Sequence, residues 1–385
     1  MTVPAQTVEH LVIGGGPAGA MTAIRLAEAG RQVTLLEKES GPHHKVCGEF
    51  LSREAVEYLH SISIFPARLG AAPIRSVRIS YGSRFAEAEL PFQALSVSRR
   101  LLDTAMLERA AAAGCEVRQG AAVERLTRQG SGWSVDLASG ECIFARAVFL
   151  ASGKHDLRGW SRTRGVQNDL VGFKLHWRLR PAQQALLHEC IHLFLFSGGY
   201  GGMSLIEEET ANLCLVVRRS KLRQAGSWTA IVAAILDENR ALRQLLGGAQ
   251  PLQSRPLAIS PIPYGYLAAT SGDLWKVGDQ AAVIPSFTGD GISIALHSGA
   301  LAAHMYTIGG DSDDYMRTLH SQLYRPIRLA TLLSRAMVSA PGRTAVPVVL
   351  ALAPNVMRWI AGLTRIPTAA LLHEGGASAH SRLAF

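Results

Sequence analysis

The sequence predicts an α/β fold in which a parallel sheet flanked by helices carries an inserted sheet of mixed pairing and is followed by a helical C-terminal region. Three observations predict this architecture. At the start of the chain, the apolar run Leu11–Ile13 turns through a group of glycines into a helical pattern. Residues 158–263 contain strand-like segments and no comparable glycine pattern. Residues 308–385 have helical spacing interrupted by prolines.

The glycine-rich turn after the first strand is typical of a dinucleotide-binding site. Gly14 permits a tight turn, Gly16 lets the backbone approach a pyrophosphate, and Gly19 lets the helix pack closely on the strand. The amides at the helix N-terminus lie at the favourable end of the helix dipole for phosphate groups. Glu37, at the end of the second predicted strand, is placed to bind ribose hydroxyls. The turn therefore predicts a site for an adenine dinucleotide.

Periodicity and turn residues predict the other elements. The predicted strands are 11–13, 32–36, 74–81, 84–90, 116–118, 133–137, 142–149, 172–180, 190–196, 211–218 and 274–277. The predicted helices are 21–29, 52–60, 99–113, 227–246 and 292–307, followed by helices broken at Pro326, Pro341, Pro347, Pro354 and Pro367. These elements predict a discontinuous nucleotide-binding domain (1–73, 91–157 and 264–307), a β-sheet substrate domain (74–90 and 158–263) and a C-terminal helical cap (308–385).

Composition limits the classes of function. The chain has 385 residues, a net charge of +9 and a hydrophobic fraction of 48%, which are values typical of a folded globular protein. Its basic residues are spread along the chain and form no run interleaved with aromatic residues, so nucleic-acid binding is not expected. The arginines among apolar residues of the C-terminal helices instead suggest a weak peripheral membrane contact.

The cysteines and the apolar runs indicate the compartment. The five cysteines form no Cys-X-X-Cys pair, which argues against a disulfide framework or a zinc site, and no metal is expected. The first strand begins within about ten residues of the N-terminus, leaving no room for a signal peptide. No apolar run approaches the roughly 20 residues of a spanning helix. A cytoplasmic protein is expected.

A second glycine-rich region follows the last predicted strand. Gly278 and Asp279 lie at the end of that strand, and Gly289–Gly291 opens a long helix. A carboxylate at a strand end accepts hydrogen bonds from sugar-alcohol hydroxyls, and a helix N-terminus presents amides to an electron-rich ring edge. A nicotinamide-dependent dehydrogenase needs no second site of this kind, whereas a flavin, with its ribityl chain and ring, does.

These motifs resemble those of the superfamily of FAD-dependent enzymes that includes para-hydroxybenzoate hydroxylase, geranylgeranyl reductases and flavin-dependent halogenases. The resemblance rests on GGGPAG with Glu37, on Arg99 and Asp103 in one helix, and on GDQAAVIPSFTGDG at 278–291. It implies a Rossmann-like FAD-binding domain of the glutathione reductase type. The residues it implies for cofactor binding are Gly14, Gly16, Pro17, Ala18, Gly19, Glu37, Lys38, Lys45, Cys47, Arg99, Asp279, Pro285, Gly289, Asp290, Gly291 and Ile292.

Two segments bear on the branch of the superfamily and supply the catalytic candidates Cys47 and Tyr200. Lys45–Glu49 resembles the Cys-Gly-Glu segment of geranylgeranyl reductases, which passes close to the flavin ring. Tyr200 opens a segment where that family has a YGW…FP substrate-binding motif, but the Trp and the Phe-Pro are absent here. No Trp-X-Trp occurs, so halogenation is disfavoured. Ser152 stands where hydroxylases that use NADPH have an Asp, which leaves the reductant open between NAD(P)H and another external donor.

Three functions remain open. The first is a monooxygenase that hydroxylates a hydrophobic or aromatic small molecule through a flavin hydroperoxide, favoured by the missing Phe-Pro segment. The second is a geranylgeranyl reductase-like enzyme that reduces carbon–carbon double bonds of an isoprenoid or lipid. The third is a non-catalytic flavin-binding protein. In each enzyme the flavin carries the redox chemistry and the protein positions a hydrophobic substrate. The oligomeric state is not indicated.

Overall fold

The structure, a computed structural model, describes residues 6–270 and 272–372. In chain order the strands are β1 (Gln6–Ile13), β2 (Val33–Glu37), β3 (Phe50–Leu51), β4 (Ala72–Tyr81), β5 (Arg84–Ser96), β6 (Glu116–Gln119), β7 (Val123–Gln129), β8 (Gly132–Leu137), β9 (Cys142–Leu150), β10 (Leu170–Arg178), β11 (Cys190–Phe196), β12 (Gly199–Leu205), β13 (Ala211–Arg218), β14 (Gln250–Pro251), β15 (Leu257–Ile259), β16 (Tyr266–Leu267), β17 (Trp275–Lys276) and β18 (Ala282–Val283). The helices are α1 (Pro17–Glu28), α2 (Arg53–Ser61), α3 (Arg99–Ala112), α4 (Pro181–Leu187), α5 (Arg219–Ala225), α6 (Trp228–Glu238), α7 (Arg240–Leu246), α8 (Gly291–Thr307), α9 (Ser312–Val338), α10 (Ala340–Leu352) and α11 (Pro354–Leu363).

The first sheet has the strand order β6-β2-β1-β9-β8-β7, and β17 pairs with β9. Its central pairs are parallel, with β1 between β2 and β9, whereas β7 and β8 add antiparallel strands at one edge. β1 lies between two neighbours, and its Leu11 and Val12 are completely buried, as expected for a central parallel strand. The carboxyl ends of β1, β2 and β9 therefore meet at the edge where ligands bind in folds of this kind.

The second sheet has the order β14-β10-β13-β12-β11-β4-β5-β3, with β15 beside β10. The hairpin predicted at Tyr81–Ser83 is confirmed, since Tyr81 pairs with Arg84 at the end of the β4–β5 ladder. This sheet also includes Phe50–Leu51 and continues to Ser96, beyond the predicted range of 74–90. The division into domains at those limits stays a prediction.

The helices join the two sheets. α1 lies against α8, where the Thr22 hydroxyl donates to the carbonyl of Gly299 at 3.3 Å. Among the described residues, one hydrophobic cluster extends from β1 and α1 to the β4 strand of the second sheet and to α9, α10 and α11. The α/β fold with mixed sheets and C-terminal helices is thus confirmed.

Three sequence-based expectations about the helices are wrong. The predicted helix 227–246 is two helices, because Asn239 is extended and its side chain caps α7 by accepting from Leu242 N at 3.1 Å. Pro326 lies inside α9 and Pro347 inside α10, so neither ends a helix. Of the predicted cap, residues 373–385 lie outside the described residues.

Candidate functional site

A cavity of about 820 Å³ extends from the glycine turn after β1 to the C-terminal helices. Both glycine-rich regions border it, so Glu37 and Asp279 face one cavity and not two. Of the residues predicted to act, those that line it are Gly14, Gly16, Pro17, Ala18, Glu37, Lys38, Lys45, Cys47, Arg99, Tyr200, Asp279, Gly289, Gly291 and Ile292. The structure thus brings together side chains from the two ends of the sequence. That each of these residues binds the cofactor stays a prediction.

The glycine turn has the backbone geometry that its sequence predicts. Gly14 has a φ of +110°, and a side chain there would collide with the carbonyl of Ala151 at the end of β9. At Gly16 a Cβ would lie 3.3 Å from Arg99 Nη2 at the cavity wall. Gly19 does not line the cavity, and its role is packing, since a Cβ would collide with the carbonyl of Gly14. Gly16, Pro17 and Ala18 at the start of α1 therefore border the cavity, at the end of the helix whose amides lack intrahelical partners.

Glu37 is buried at the end of β2 with its carboxylate at the edge of the cavity. Its Oε2 accepts from the backbone amide of Gly15 at 2.9 Å, and its Oε1 accepts from Glu39 N at 3.1 Å. Lys45 Nζ lies 3.7 Å from Oε2. A carboxylate offers about four acceptor positions, so two backbone amides leave capacity for a diol such as ribose.

Arg99, in the first turn of α3, anchors the cavity wall. Its Nε and Nη2 donate to Asp103 at 2.7 and 2.8 Å, and Lys45 Nζ lies 3.0 Å from Asp103 Oδ2. Burial alone would raise the pKa of Asp103, but Arg99 and Lys45 hold it below its ordinary value. Asp103 is therefore ionised and fixes the two cations beside the glycine turn.

The second glycine region borders the opposite part of the cavity. Gly278 has a φ of +61°, and Asp279 follows it in a short 3-10 helix over Gly278–Gln280. The Asp279 carboxylate lies 3.9 Å from Lys154 Nζ. Gly289 has a φ of +75°, and a side chain there would collide with the ring of Phe50. Gly291 then begins α8 and borders the cavity, with open space where a Cβ would stand.

Asp290 and Pro285 do not line the cavity, unlike the residues around them. The carboxylate of Asp290 is buried 2.8 Å from Arg365 Nη1 and accepts from the Ser293 hydroxyl at 3.3 Å. Burial raises the pKa of Asp290 to about 7, although Arg365 opposes this shift. Asp290 thus connects α8 to the segment after α11, a contact that the sequence did not indicate.

A buried network of charged side chains fixes the loop that carries Cys47. Glu49, completely buried and with a φ of +59°, turns its carboxylate between Lys174 and His176 of β10. Lys174 Nζ is hydrogen-bonded to Oε1, and His176 Nε2 lies 3.0 Å from Oε2. The amide of Arg99 also donates to Oε1, at 2.8 Å. Burial would raise the pKa of Glu49, but His176 and Lys174 together bring it below its ordinary value.

Two further contacts complete this network. Asn212 Nδ2 of β13 donates to the carbonyl of Cys47 at 3.2 Å. The ring of His44 contacts that of His176 at 4.6 Å between centroids, and burial with the neighbouring His176 lowers the pKa of His44 to about 4. His44, Glu49 and His176 hold ligand atoms within 4.8 Å of one another. The Lys174 ammonium on the same carboxylate opposes a metal cation there, so we interpret the group as an ion-pair network.

Tyr200, on β12, brings a hydroxyl into the cavity among apolar side chains. It is buried and lies against Phe287, with the ring centroids 6.0 Å apart. The Ser334 hydroxyl donates to it at 3.4 Å, and nearby Tyr264 donates to the Ser286 hydroxyl at 2.8 Å. Burial raises the pKa of Tyr200, which keeps its hydroxyl neutral.

Toward the second sheet and the C-terminal helices the cavity wall is mainly apolar, although Ser204, Thr364 and Arg365 also border it. The second sheet contributes Val77, Ile79, Ile191 and Leu193, and the C-terminal helices contribute Met337, Leu350, Met357 and Ile360. The sequence predicted apolar lining from the sheet and a C-terminal helical cap, but it did not indicate which residues of α10 and α11 line the cavity. Such a wall favours a hydrocarbon substrate.

Comparison with known proteins agrees with this geometry. Residues 7–142 match the FAD binding domain family. A menaquinone reductase of Mycolicibacterium smegmatis is 28% identical over 79% of this chain and 77% of its own length. A digeranylgeranylglycerophospholipid reductase of Methanopyrus kandleri is 27% identical over 79% and 78%. A rifampicin monooxygenase of Streptomyces venezuelae is 30% identical over 37% of this chain and 31% of its own length. The solved structure of a flavin-dependent brominase has a TM-score of 0.76 at 16% identity, covering 93% of both chains, which shows the fold.

The fold, the matched domain and these relatives define a flavoprotein enzyme whose cofactor is FAD. The chain belongs to the FAD-dependent oxidoreductase superfamily that includes para-hydroxybenzoate hydroxylase-like monooxygenases and geranylgeranyl reductases. The expectations of an enzyme and of FAD are therefore confirmed. The residues present fit this cofactor, because Glu37 and Asp279 border the same cavity and the space beside Gly291 is open.

Proposed function

We propose that this oxidoreductase reduces carbon–carbon double bonds in the isoprenoid chain of a lipid or quinone. The observation that carries the proposal is the mainly apolar part of the wall, which includes Ile191, Met357 and Ile360. A prenyl chain needs only hydrocarbon contacts, whereas an aromatic substrate with polar substituents calls for polar partners in the wall. Two relatives that match over 79% of the chain bear the names of a menaquinone reductase and a digeranylgeranylglycerophospholipid reductase, which supports the same substrate class.

FAD, once reduced by an external two-electron donor, would supply the hydride for this reaction. The protein supplies the remaining conditions: a dry site, a fixed alkene and a proton for the second carbon. The Cys47 thiol and the Tyr200 hydroxyl both border the cavity and carry exchangeable protons. Lys45, two residues before Cys47, and Arg99 also border the cavity and place positive charge beside this loop. We assign the proton to Cys47 Sγ, because the Glu49 network fixes its loop.

Oxygenation, the function first expected from the missing Phe-Pro segment, has less support. The rifampicin monooxygenase match covers only 37% of this chain. The halogenase structures share the fold at identities of 14–18% and say nothing of the reaction. Hydroxylation is therefore the rival that an experiment must separate from reduction.

The test uses the FAD-loaded protein reduced anaerobically with dithionite and mixed with a geranylgeranylated lipid that carries no quinone ring, because a quinone would itself reoxidise the reduced flavin. Reduction predicts that the flavin absorbance returns without oxygen and that the product gains two hydrogen atoms by mass. The matched control is the same lipid with a fully saturated chain, which should leave the flavin reduced. A product that gains one oxygen atom, formed only in air, would overturn the proposal in favour of hydroxylation. Titration with NADPH and NADH then identifies the donor.

A further inference from the structure

Exposed apolar side chains concentrate where α10 meets α11. The helices, residues 340–363, are called here the α10–α11 corner, and the axes of α10 and the segment after it differ by 114°. Leu352 and Trp359, which are 83% and 76% exposed, are the two most exposed large apolar side chains of the described residues. The others at the corner are Val348, Val349, Val356 and Leu363. An exposed apolar patch of this kind marks an interaction surface.

The charged residues of the corner and of the helix before it have one sign, since residues 315–372 contain seven arginines and no Asp or Glu. One of them, Arg365, is buried against Glu54 and Asp290 and adds no charge to the surface. Arg358 is exposed beside Trp359, and Arg328 and Arg335 are exposed on α9. A basic, apolar surface complements an anionic lipid headgroup layer with hydrocarbon beneath it.

The same corner forms the end of the cavity. Val349 of α10 and Val356 of α11 both line the cavity and are 50% and 37% exposed. On the inner side, Leu350 and Met357 are buried against the cavity. The apolar interior therefore reaches the protein surface between two side chains of the patch.

No helix of the described residues is long and apolar enough to cross a membrane by itself. α10 and the following segment, Asn355–Ala370, meet the length and composition criteria only as a bent pair. A pair bent by 114° suits a position within one interface, with its apolar face in the lipid.

We propose that the α10–α11 corner docks on an anionic lipid bilayer and that a lipid substrate enters the cavity between Val349 and Val356 directly from the bilayer. This inference rests on the proposed function for the identity of the substrate but not for the docking itself. A second copy of the chain is the other occupant to exclude. It would bring the arginines of α9 and α11 close to their own counterparts, which disfavours that arrangement.

The docking test is flotation of the full FAD-loaded chain with phosphatidylcholine vesicles, with and without phosphatidylglycerol, at low salt. We expect binding to the anionic vesicles, weakened by salt, together with a blue shift of Trp359 fluorescence. The double substitution Leu352→Ser and Trp359→Ser should lower the bound fraction at least about tenfold. The matched control is Ile308→Ser, since Ile308 is 64% exposed at the end of α8, away from the corner.

Each outcome has one meaning. No flotation with either vesicle, or flotation that the double substitution leaves unchanged, overturns the docking proposal. If the wild type does not bind vesicles but forms a dimer, and the double variant is a monomer, the corner is the interface with a second copy of the chain. Vesicle binding without any alkene reduction overturns the proposed function alone. Reduction of a detergent-dispersed lipid without vesicle binding overturns the docking alone.

Discussion

Glu49 and His176 meet at 3.0 Å in the interior although 127 residues separate them in sequence. The pair, with Lys174 on the other carboxylate oxygen, links the Cys47 loop to the second sheet. A left-handed backbone at a non-glycine residue costs of the order of 1 kcal/mol or more, so its surroundings must hold Glu49 in place. This network sets the position of Cys47.

Glu49→Gln should destabilise the protein by about 3–5 kcal/mol, because the Lys174 ammonium is left buried without a counter-charge. The measurement is the free energy of unfolding in urea. Glu189→Gln is a matched control, since Glu189 also has a positive φ, +51°, and pairs with an arginine, but at the surface. It should change stability by less than about 1 kcal/mol.

Adding Lys174→Met to Glu49→Gln should restore most of the lost stability, because no unpaired buried charge remains. The double variant should nevertheless react more slowly if the network positions Cys47. Equal stability of the wild type and Glu49→Gln would show that the carboxylate is not ionised in the folded protein.

Asp290→Asn should change how stability depends on pH. The pKa of Asp290 is about 7 in the folded protein against an ordinary 3.8. The folded state therefore holds this proton more tightly than the unfolded state. The stability that the protonated Asp290 contributes is fully present below pH 3.8 and is lost as the pH rises through 7.

The free energy of unfolding of Asp290→Asn minus that of the wild type should therefore rise between pH 5 and pH 8. The expected slope is about 1.4 kcal/mol for each pH unit up to the folded pKa of Asp290. Urea unfolding at both pH values measures it. Asp273→Asn, on a side chain that is 72% exposed, is the control and should follow the wild-type slope. The same slope in all three proteins would contradict the buried, protonated state.

Glu37→Ala should weaken FAD binding by about ten- to a hundredfold, the loss expected for one or two hydrogen bonds to a charged group. Fluorescence titration of the FAD-free protein measures the affinity, and circular dichroism checks the fold. Glu124→Ala, on an exposed position of β7, should bind FAD as the wild type does. Unchanged FAD affinity in Glu37→Ala would show that this carboxylate does not bind the ribose.

Cys47→Ala should retain FAD but reduce alkenes at least about a hundred times more slowly, since a positioned proton donor contributes that much. Cys142→Ala, on β9 of the first sheet, is the matched thiol control and should keep full activity. The anaerobic flavin assay described above measures both. Full activity in Cys47→Ala would assign the proton to another group, with Tyr200→Phe as the next variant.

Local signals predicted the elements that local chemistry determines. The glycine turn, the hairpin at Tyr81–Ser83 and the strand Cys190–Phe196 match the structure because turn residues and alternation define them. Strand β12 was not predicted, since its glycines disfavour a strand; they serve close packing, and a side chain at Gly201 would collide with Leu215. The break at Asn239 depends on contacts with Ser80 and Leu195, which are distant in sequence.

The candidate site divides in the same way. Glycines and strand-end acids indicate a nucleotide from sequence alone, because backbone geometry demands those residue types. The pairing of Glu49 with Lys174 and His176, and of Asp290 with Arg365, depends on how distant elements pack. No periodic pattern in the sequence predicts such pairs. The sequence-based expectations of a cytoplasmic location and of no bound metal stay predictions.

The contact of Arg365 with Asp290 ties the segment after α11 to the residue that precedes the first turn of α8. An outward movement of α10 and α11 would separate the Arg365 guanidinium from the Asp290 carboxyl group, and both groups would have to be rehydrated. The Arg365–Asp290 contact therefore opposes displacement of the helices that line the far end of the cavity.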